Sequence, residues 1–352
     1  MNKLVRVKLI LALGAMLGVS SLSAQEVRFS QFEAAPLLLN PATPGTVAHP
    51  TLGINYRLQQ LGIISYKTGY FSALLPVYPS GADYDDLPAG GVGLGVMHDL
   101  AGEQNELRTY QLDLSGAYNL RLNAAQTHYL SLGLQASFLQ TNVDYGALTW
   151  PSQITYRGFE GPPPALAPYA DRVEALRFNA GLHWTYDPMR NAWPRPAHYR
   201  MHLGASVANL NRPDYSFLND GSLVLTEVYR IYGGAEFRTS ARLSVSPGFF
   251  VISQGGQTQY AGGGTVAIHL TPEAASYSAD DLRLRVGSWY RYDDALVLLI
   301  GGRSSRVDAA LSYDLSTAAE RSGIKNQNTV ELSLAYRFLR SQSPQAIPNP
   351  LF

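Results

Sequence analysis

The sequence predicts an all-β fold, a transmembrane antiparallel β-barrel of about fourteen strands. Three observations lead there. Segments of about ten residues repeat with period-two alternation. Past the first residues, no stretch has the roughly 20 apolar residues that a spanning helix needs. The 352-residue chain also carries no cysteine, so disulfides do not hold an exported fold together, whereas a closed barrel does so by pairing every strand edge. Charged residues make up only 15% of the chain, against roughly 25% in soluble domains. The formal net charge is zero, which leaves no electrostatic footprint for nucleic acid. Tyrosine (22) and glycine (32) are plentiful, and tyrosine suits a membrane interface because its ring is apolar and its hydroxyl wet.

The elements follow in order. Residues 1–24 have the layout of a secretory signal peptide: a basic head with Lys3, Arg6 and Lys8, an apolar run from Leu9 to Val19, and small residues ending at Ala24. Cleavage after Ala24 leaves Gln25 first, and the lack of cysteine excludes a lipoprotein anchor. Residues 25–47 hold Pro36, Pro41 and Pro44, with Pro50 just beyond, and lose all alternation. They read as a proline-rich periplasmic or lumen-filling segment. The barrel is expected over 48–340, and 341–352 is a proline-rich C-terminal tail.

The clearest strand is the last. Val330, Leu332, Leu334, Tyr336 and Phe338 share one face; Glu331, Ser333, Ala335 and Arg337 share the other. Leu107 to Leu120 and Tyr129 to Gln140 alternate in the same way. Further strands are expected at 48–58, 61–75, 90–99, 173–187, 199–209, 228–238, 240–252, 259–271, 282–292, 295–303 and 305–316. A soluble two-sheet sandwich also alternates, so repetition and connection lengths carry the argument. Barrels have short periplasmic turns and longer outer loops. With a periplasmic start, 121–127, 238–240 and 303–306 become periplasmic turns, while the long gaps 142–172, 210–227 and 317–328 fall outside. Two periplasmic connections, 76–89 and 187–198, are longer than the rule prefers.

Several motifs occur in a fixed order: Arg28-Phe-Ser-Gln-Phe32 followed by Leu39-Asn-Pro-Ala42; Gly91-Val-Gly-Leu-Gly-Val-Met-His-Asp99 with Gly102; Gly133-Leu-Gln-Ala136 with Val143-Asp144; Leu311-Ser-Tyr-Asp314 with Ser316; and Glu331 to Phe338. Together they resemble the PorP/SprF family of outer-membrane proteins tied to the type IX secretion system of Bacteroidetes. The sequence departs from that pattern at Thr43, where an aromatic is usual, and at Gln59-Gln-Leu-Gly-Ile63, where aromatics are dense. The resemblance implies a bacterial outer-membrane barrel that is a component or accessory of this system. Such a barrel supports export or surface attachment of secreted proteins or adhesins, and in some species gliding, through protein contacts. The family carries no catalytic site to transfer.

The residues themselves nominate no catalytic, cofactor-binding or metal-ligating site. His49, His98, His128, His183, His198, His202 and His269 are scattered. His198 and His202 share a strand face, but four residues along a strand span roughly 13 Å, too far for one metal. Asp83-Tyr-Asp-Asp86 lacks the glycine and terminal glutamate of a calcium loop. Gly255-Gly256 and Gly262 to Gly264 precede no Lys-Ser or Lys-Thr helix, which excludes a phosphate loop. A barrel hydrolase needs Ser, His and an orienting group from neighbouring strands, and no local motif marks a nucleophile. Arg283, Arg285 and Arg291 line one strand face, either tuning a pore or filling the interior against acids such as Asp113 or Glu331; the filling role is favoured. Expected partners are outer-membrane lipid, periplasmic secretion-system components reached by the N-terminal segment and turns, and exported surface proteins or adhesins at the long loops. The stiff, apolar stretch 157–170 is a candidate docking surface. The rival reading is a passive porin for small solutes.

Overall fold

Alternation becomes strand wherever the chain can close a ring. A computed structural model describes residues 27–61, 64–81, 86–148, 154–155, 158–159, 170–188, 199–218, 223–270, 282–317 and 327–339. The leader, the tail 341–352, His198 and most of 157–170 lie outside the described residues.

The strands are β1 (Thr51–Leu61), β2 (Ile64–Val77), β3 (Gly90–Ala101), β4 (Leu107–Arg121), β5 (His128–Val143), β6 (Ile154–Thr155), β7 (Gly158–Phe159), β8 (Arg172–Tyr186), β9 (Tyr199–Ala208), β10 (Val228–Ser240), β11 (Leu243–Gln254), β12 (Gln257–His269), β13 (Arg283–Arg291), β14 (Ala295–Arg303), β15 (Val307–Ser316) and β16 (Gln327–Arg337). All but β6 and β7 form one closed barrel of fourteen strands, each antiparallel to its neighbour in sequence, with β5 beside β8. The small β6–β7 hairpin sits in the connection between them. β1 and β16 close the ring in register from Thr51↔Arg337 to Leu61↔Gln327. Closure matters because lipid offers no partner to an unpaired backbone group.

We call the end holding Thr51 and Arg337 proximal and the other distal. The connections 144–171 and 209–227, the longest in the barrel, are distal, and the tight turns 122–127, 241–242 and 304–306 are proximal. Beside the long proximal connections anticipated above there is a third, at 270–282. β1 and β2 each begin three residues later than the alternation suggested. Pro50 has no N–H to give the ladder, and pairing with β16 starts at Thr51. β10 runs through 238–240 with a register shift between Arg238 and Ser240, so the turn is at 241–242.

Every barrel strand turns large apolar residues outward, among them Ile54, Leu114, Leu134 (70% exposed) and Leu332. An apolar belt on this scale needs lipid as its solvent. Aromatics edge the belt at both ends: Tyr229, Tyr260, Tyr290 and Tyr292 are exposed near the distal rim. Trp184 stacks on Tyr186 near the proximal rim, and Tyr336 meets Phe338 edge-on with ring centres 4.9 Å apart. The buried residues lie inside, where the polar faces of the strands enclose residues 27–45.

Candidate functional site

The lumen is occupied by the chain's own N-terminal segment, and the sequence of that segment explains its shape. Pro36 opens helix α1 (Pro36–Leu39) at its first turn, where a missing N–H costs nothing. Asn40 ends it, its side-chain oxygen accepting from the Ala42 N–H at 2.8 Å while its carbonyl accepts from the Thr43 hydroxyl at 2.8 Å. A 3-10 turn over Thr43–Gly45 follows. Pro36, Pro41 and Pro44 remove donors that a strand would need, so the segment stays out of the ladder and coils inside it.

Its first residues are latched to the last strands. The Glu331 carboxylate, 0% exposed, accepts from the backbone N–H groups of Ser30 at 2.7 Å and Gln31 at 2.9 Å. It also lies 3.3 Å from the Arg57 guanidinium. Gln31 donates to the Ser312 hydroxyl and the Glu331 carbonyl, both at 3.1 Å, and accepts from the Ser333 hydroxyl at 2.6 Å. Ser30 donates to Asp314 at 2.5 Å and accepts from Arg291 at 2.8 Å; Arg291 also reaches Asp314 at 2.9 Å. Such charge-assisted bonds to a buried carboxylate are the strong kind. Phe32 stacks on Phe250 at 5.0 Å and meets Trp289 edge-on at 5.2 Å.

The remainder of the plug sits against a wall stripped of side chains. A Cβ at Gly91 would overlap the Pro44 carbonyl, and one at Gly93 would come within 2.8 Å of Leu37 and Pro44. At Gly133 it would reach 2.5 Å from the Ala42 Cα, and at Gly181 it would overlap the Asn40 amide. Only glycine allows so close a backbone approach. The polar edges are matched as well. The Asn40 amide donates to the carbonyls of Leu182 (2.8 Å) and Ala205 (3.2 Å). Ser206 donates to the Leu39 carbonyl at 2.7 Å, Gln135 to the Leu37 carbonyl at 3.1 Å, and Asn119 to the Gly45 carbonyl at 2.7 Å.

Beyond the plug, the proximal lumen is charged and partly open to solvent. Arg283, Arg285 and Arg291 do line the interior, but their acids differ from those anticipated. Arg283 pairs with Glu236 at 2.9 Å, Arg285 with Asp308, and Arg291 with Asp294 and Asp314. Asp113 instead takes hydrogen bonds from Gln111 and Ser137, and Glu331 holds the plug. At the distal mouth the connection 209–227 folds inward, burying Tyr215 and Leu225 against Leu139, Val173 and Ala175. There Arg212 donates to Glu227 at 2.5 Å, and that bond holds the Glu227 carboxyl below its ordinary range.

The histidines do not converge on a metal site: among the described residues no group of three or more His, Cys, Asp or Glu could hold one. Asp83 to Asp85 lie outside the described residues. His183 stacks on His202 at 5.6 Å and meets the Tyr232 hydroxyl at 2.8 Å, while His202 lies 3.5 Å from Glu33 of the plug. The structure reveals one Ser–His contact that the sequence did not mark, between Ser244 and His269 at 2.7 Å. Both are buried. Adjacent strands place them together, and only the pairing of β11 with β12 could have disclosed it.

Three comparisons bear on this arrangement. A family model described as type IX secretion system membrane protein PorP/SprF matches residues 21–336. A comparison with curated proteins finds no match. Among solved structures, the CymD monoaromatic hydrocarbon channel is 13% identical at a TM-score of 0.46, covering 88% of this chain and 94% of that one. The Pseudomonas putida toluene transporter TodX is 12% identical at 0.42, covering 89% and 95%. A Pseudomonas aeruginosa FadL homologue is 12% identical at 0.42, covering 85% and 93%.

Proposed function

The chain belongs to the PorP/SprF family of type IX secretion system membrane proteins, and from that premise we propose that it works as a plugged scaffold rather than as a conduit. It is an outer-membrane β-barrel component of the secretion system, as family membership and the lipid-facing belt establish together. Its proposed role is to support export or surface attachment of secreted proteins or adhesins, and gliding where the cell glides, through protein contacts and without catalysis. One observation carries this reading: the family-like motifs, dispersed over some 300 residues of sequence, meet at the plug. Ser30 and Gln31 bind Ser312, Asp314, Glu331 and Ser333, and Pro41 and Ala42 sit on Gly133. A family that spends its motifs on closing its lumen has its business on the rims.

The usual loop-length rule supports a distal rim that faces outside the cell. The exported partner then meets 144–171 and 209–227, and periplasmic components meet the proximal turns. Residues 28–45 are engaged with the lumen wall, so the periplasmic contact falls to the turns rather than to the N-terminal segment. Residues 1–24 are the proposed export signal.

Affinity capture of the tagged protein from native outer membranes is the direct test. Secretion-system subunits or a large exported protein should co-purify, and capture of neither removes the reading's support. The half-exposed charges of the proximal lumen favour a second reading, a passive pore for small solutes. Planar bilayers separate the two, because a steadily open, wide conductance from the unmodified protein would establish the pore and end the plugged scaffold.

A further inference from the structure

The proximal lumen holds more guanidinium groups than its carboxylates can match. Asp308 of β15 serves three of them: Arg285 of β13, Arg303 of β14 at 3.4 Å and Arg337 of β16 at 3.3 Å. Glu236 of β10 serves two, Arg200 of β9 at 2.6 Å and Arg283 at 2.9 Å. Glu33 of the plug lies beside His202 and within electrostatic reach of Arg285 and Arg303, and Asp187, just past β8, is within reach of Arg200. Among the described residues this leaves these five arginines facing four acids, an excess of one positive charge.

The arginines stand at the proximal ends of their strands, Arg283, Arg285 and Arg337 about one-fifth exposed and two others more open. Arg200 and Arg303 side chains are 49% and 39% exposed, whereas Arg57 in the latch is 12% exposed and its Glu331 partner 0%. Guanidinium forks match carboxylate and phosphate oxygens, which they take two at a time. The row from β13 to β16 crosses four strands, roughly 14 Å at the usual strand spacing. A single phosphate or carboxylate cannot touch all of it, and an extended chain bearing several carboxylates can.

We propose that this proximal chamber, lined by Arg200, Arg285, Arg303 and Arg337, is a binding site for an acidic peptide segment entering from the proximal mouth. The plug closes its inner end, so the segment docks there and does not pass through. The site needs the barrel and its plug but not the secretory assignment, so it stands or falls separately from the capture experiment above. One competitor lies in the chain itself, since the proximal connection outside the described residues carries Glu273, Asp280 and Asp281.

The test uses the full-length barrel in detergent micelles and a fluorescein-labelled decaglutamate peptide read by anisotropy. The peptide should bind at low ionic strength and weaken as salt rises, and decalysine should not bind. R285Q/R303Q/R337Q should weaken binding at least tenfold while the barrel keeps its heat-modifiable gel mobility. R108Q/R172Q, on the distal rim, should leave it unchanged, and E273Q/D280N/D281N should leave it unchanged or tighten it. The proposal is overturned if decaglutamate does not bind the unmodified barrel, or if it binds only the E273Q/D280N/D281N variant. Equal binding by R285Q/R303Q/R337Q, or full displacement by equimolar inorganic pyrophosphate, would overturn it as well.

Discussion

Where they face residues 37–45, strands β3, β5 and β8 present glycine and short amides or hydroxyls to the lumen, whereas the proximal ends of β13, β14 and β16 present arginine there. The outer faces of the two sectors are alike, apolar and lipid-facing. The inner faces differ because they meet different things. The first sector meets the backbone of residues 37–45, and any side chain there would collide with it. The proximal ends of the second stand clear of residues 37–45, with Arg303 39% exposed, and charge is what solvent tolerates. A barrel wall thus records on its inner face whether it holds a polypeptide or solvent, while its outer face records only the membrane.

This contrast can be broken most forcefully at the seat. In G133V the added methyls strike the Pro41–Ala42 backbone, where overpacking costs about 1–3 kcal/mol or more. The plug should leave the lumen while the barrel still folds, giving a new conductance step in planar bilayers; a variant as silent as the unmodified protein would contradict the seat. E331Q comes next. It removes one partner of a buried pair, an operation worth about 3–5 kcal/mol when nothing replaces it. The glutamine can still accept one N–H, which puts the effect at the lower end. The Ser30 and Gln31 amides should then exchange hydrogen markedly faster, and unchanged exchange would show that Glu331 is not the latch. N40A strands the Leu182 and Ala205 carbonyls and should loosen the plug by about 1–3 kcal/mol, visible as proteolysis within 37–45. The smallest effect belongs to the charged sector. R303Q breaks a half-exposed pair worth about 1 kcal/mol or less, so plug protection and melting temperature should barely move. A large loss of plug protection there would erase the distinction between the sectors.

The arginine partners show where reading the sequence stopped. Arg285 stands opposite Gly301 in the ladder, and with no side chain in between, its guanidinium reaches across β14 to Asp308 on β15. Asp113 and Glu331 were reasonable acids to name, since both face inward. Nothing local says that one is consumed by Gln111 and Ser137 and the other by the plug. The latch joins Ser30 to Glu331 across 301 positions of sequence, which no window of ten residues can register. The motifs did mark those residues, as a resemblance without a reason. The reason is their shared contact.

Strand number, inward and outward faces and the non-strand nature of residues 27–47 were all written in the local sequence. Period-two alternation is a property of neighbours, and prolines veto a ladder wherever they stand. Element ends were less legible, since β1 starts where pairing with β16 allows and β2 where pairing with β1 allows, not where alternation begins. Only the closed ring decided that the N-terminal segment lies within the lumen, that Glu331 holds it and that glycines make room for it. Those outcomes depend on which strands become neighbours and on how much space fourteen of them enclose, and both are fixed by closure rather than by any stretch of chain.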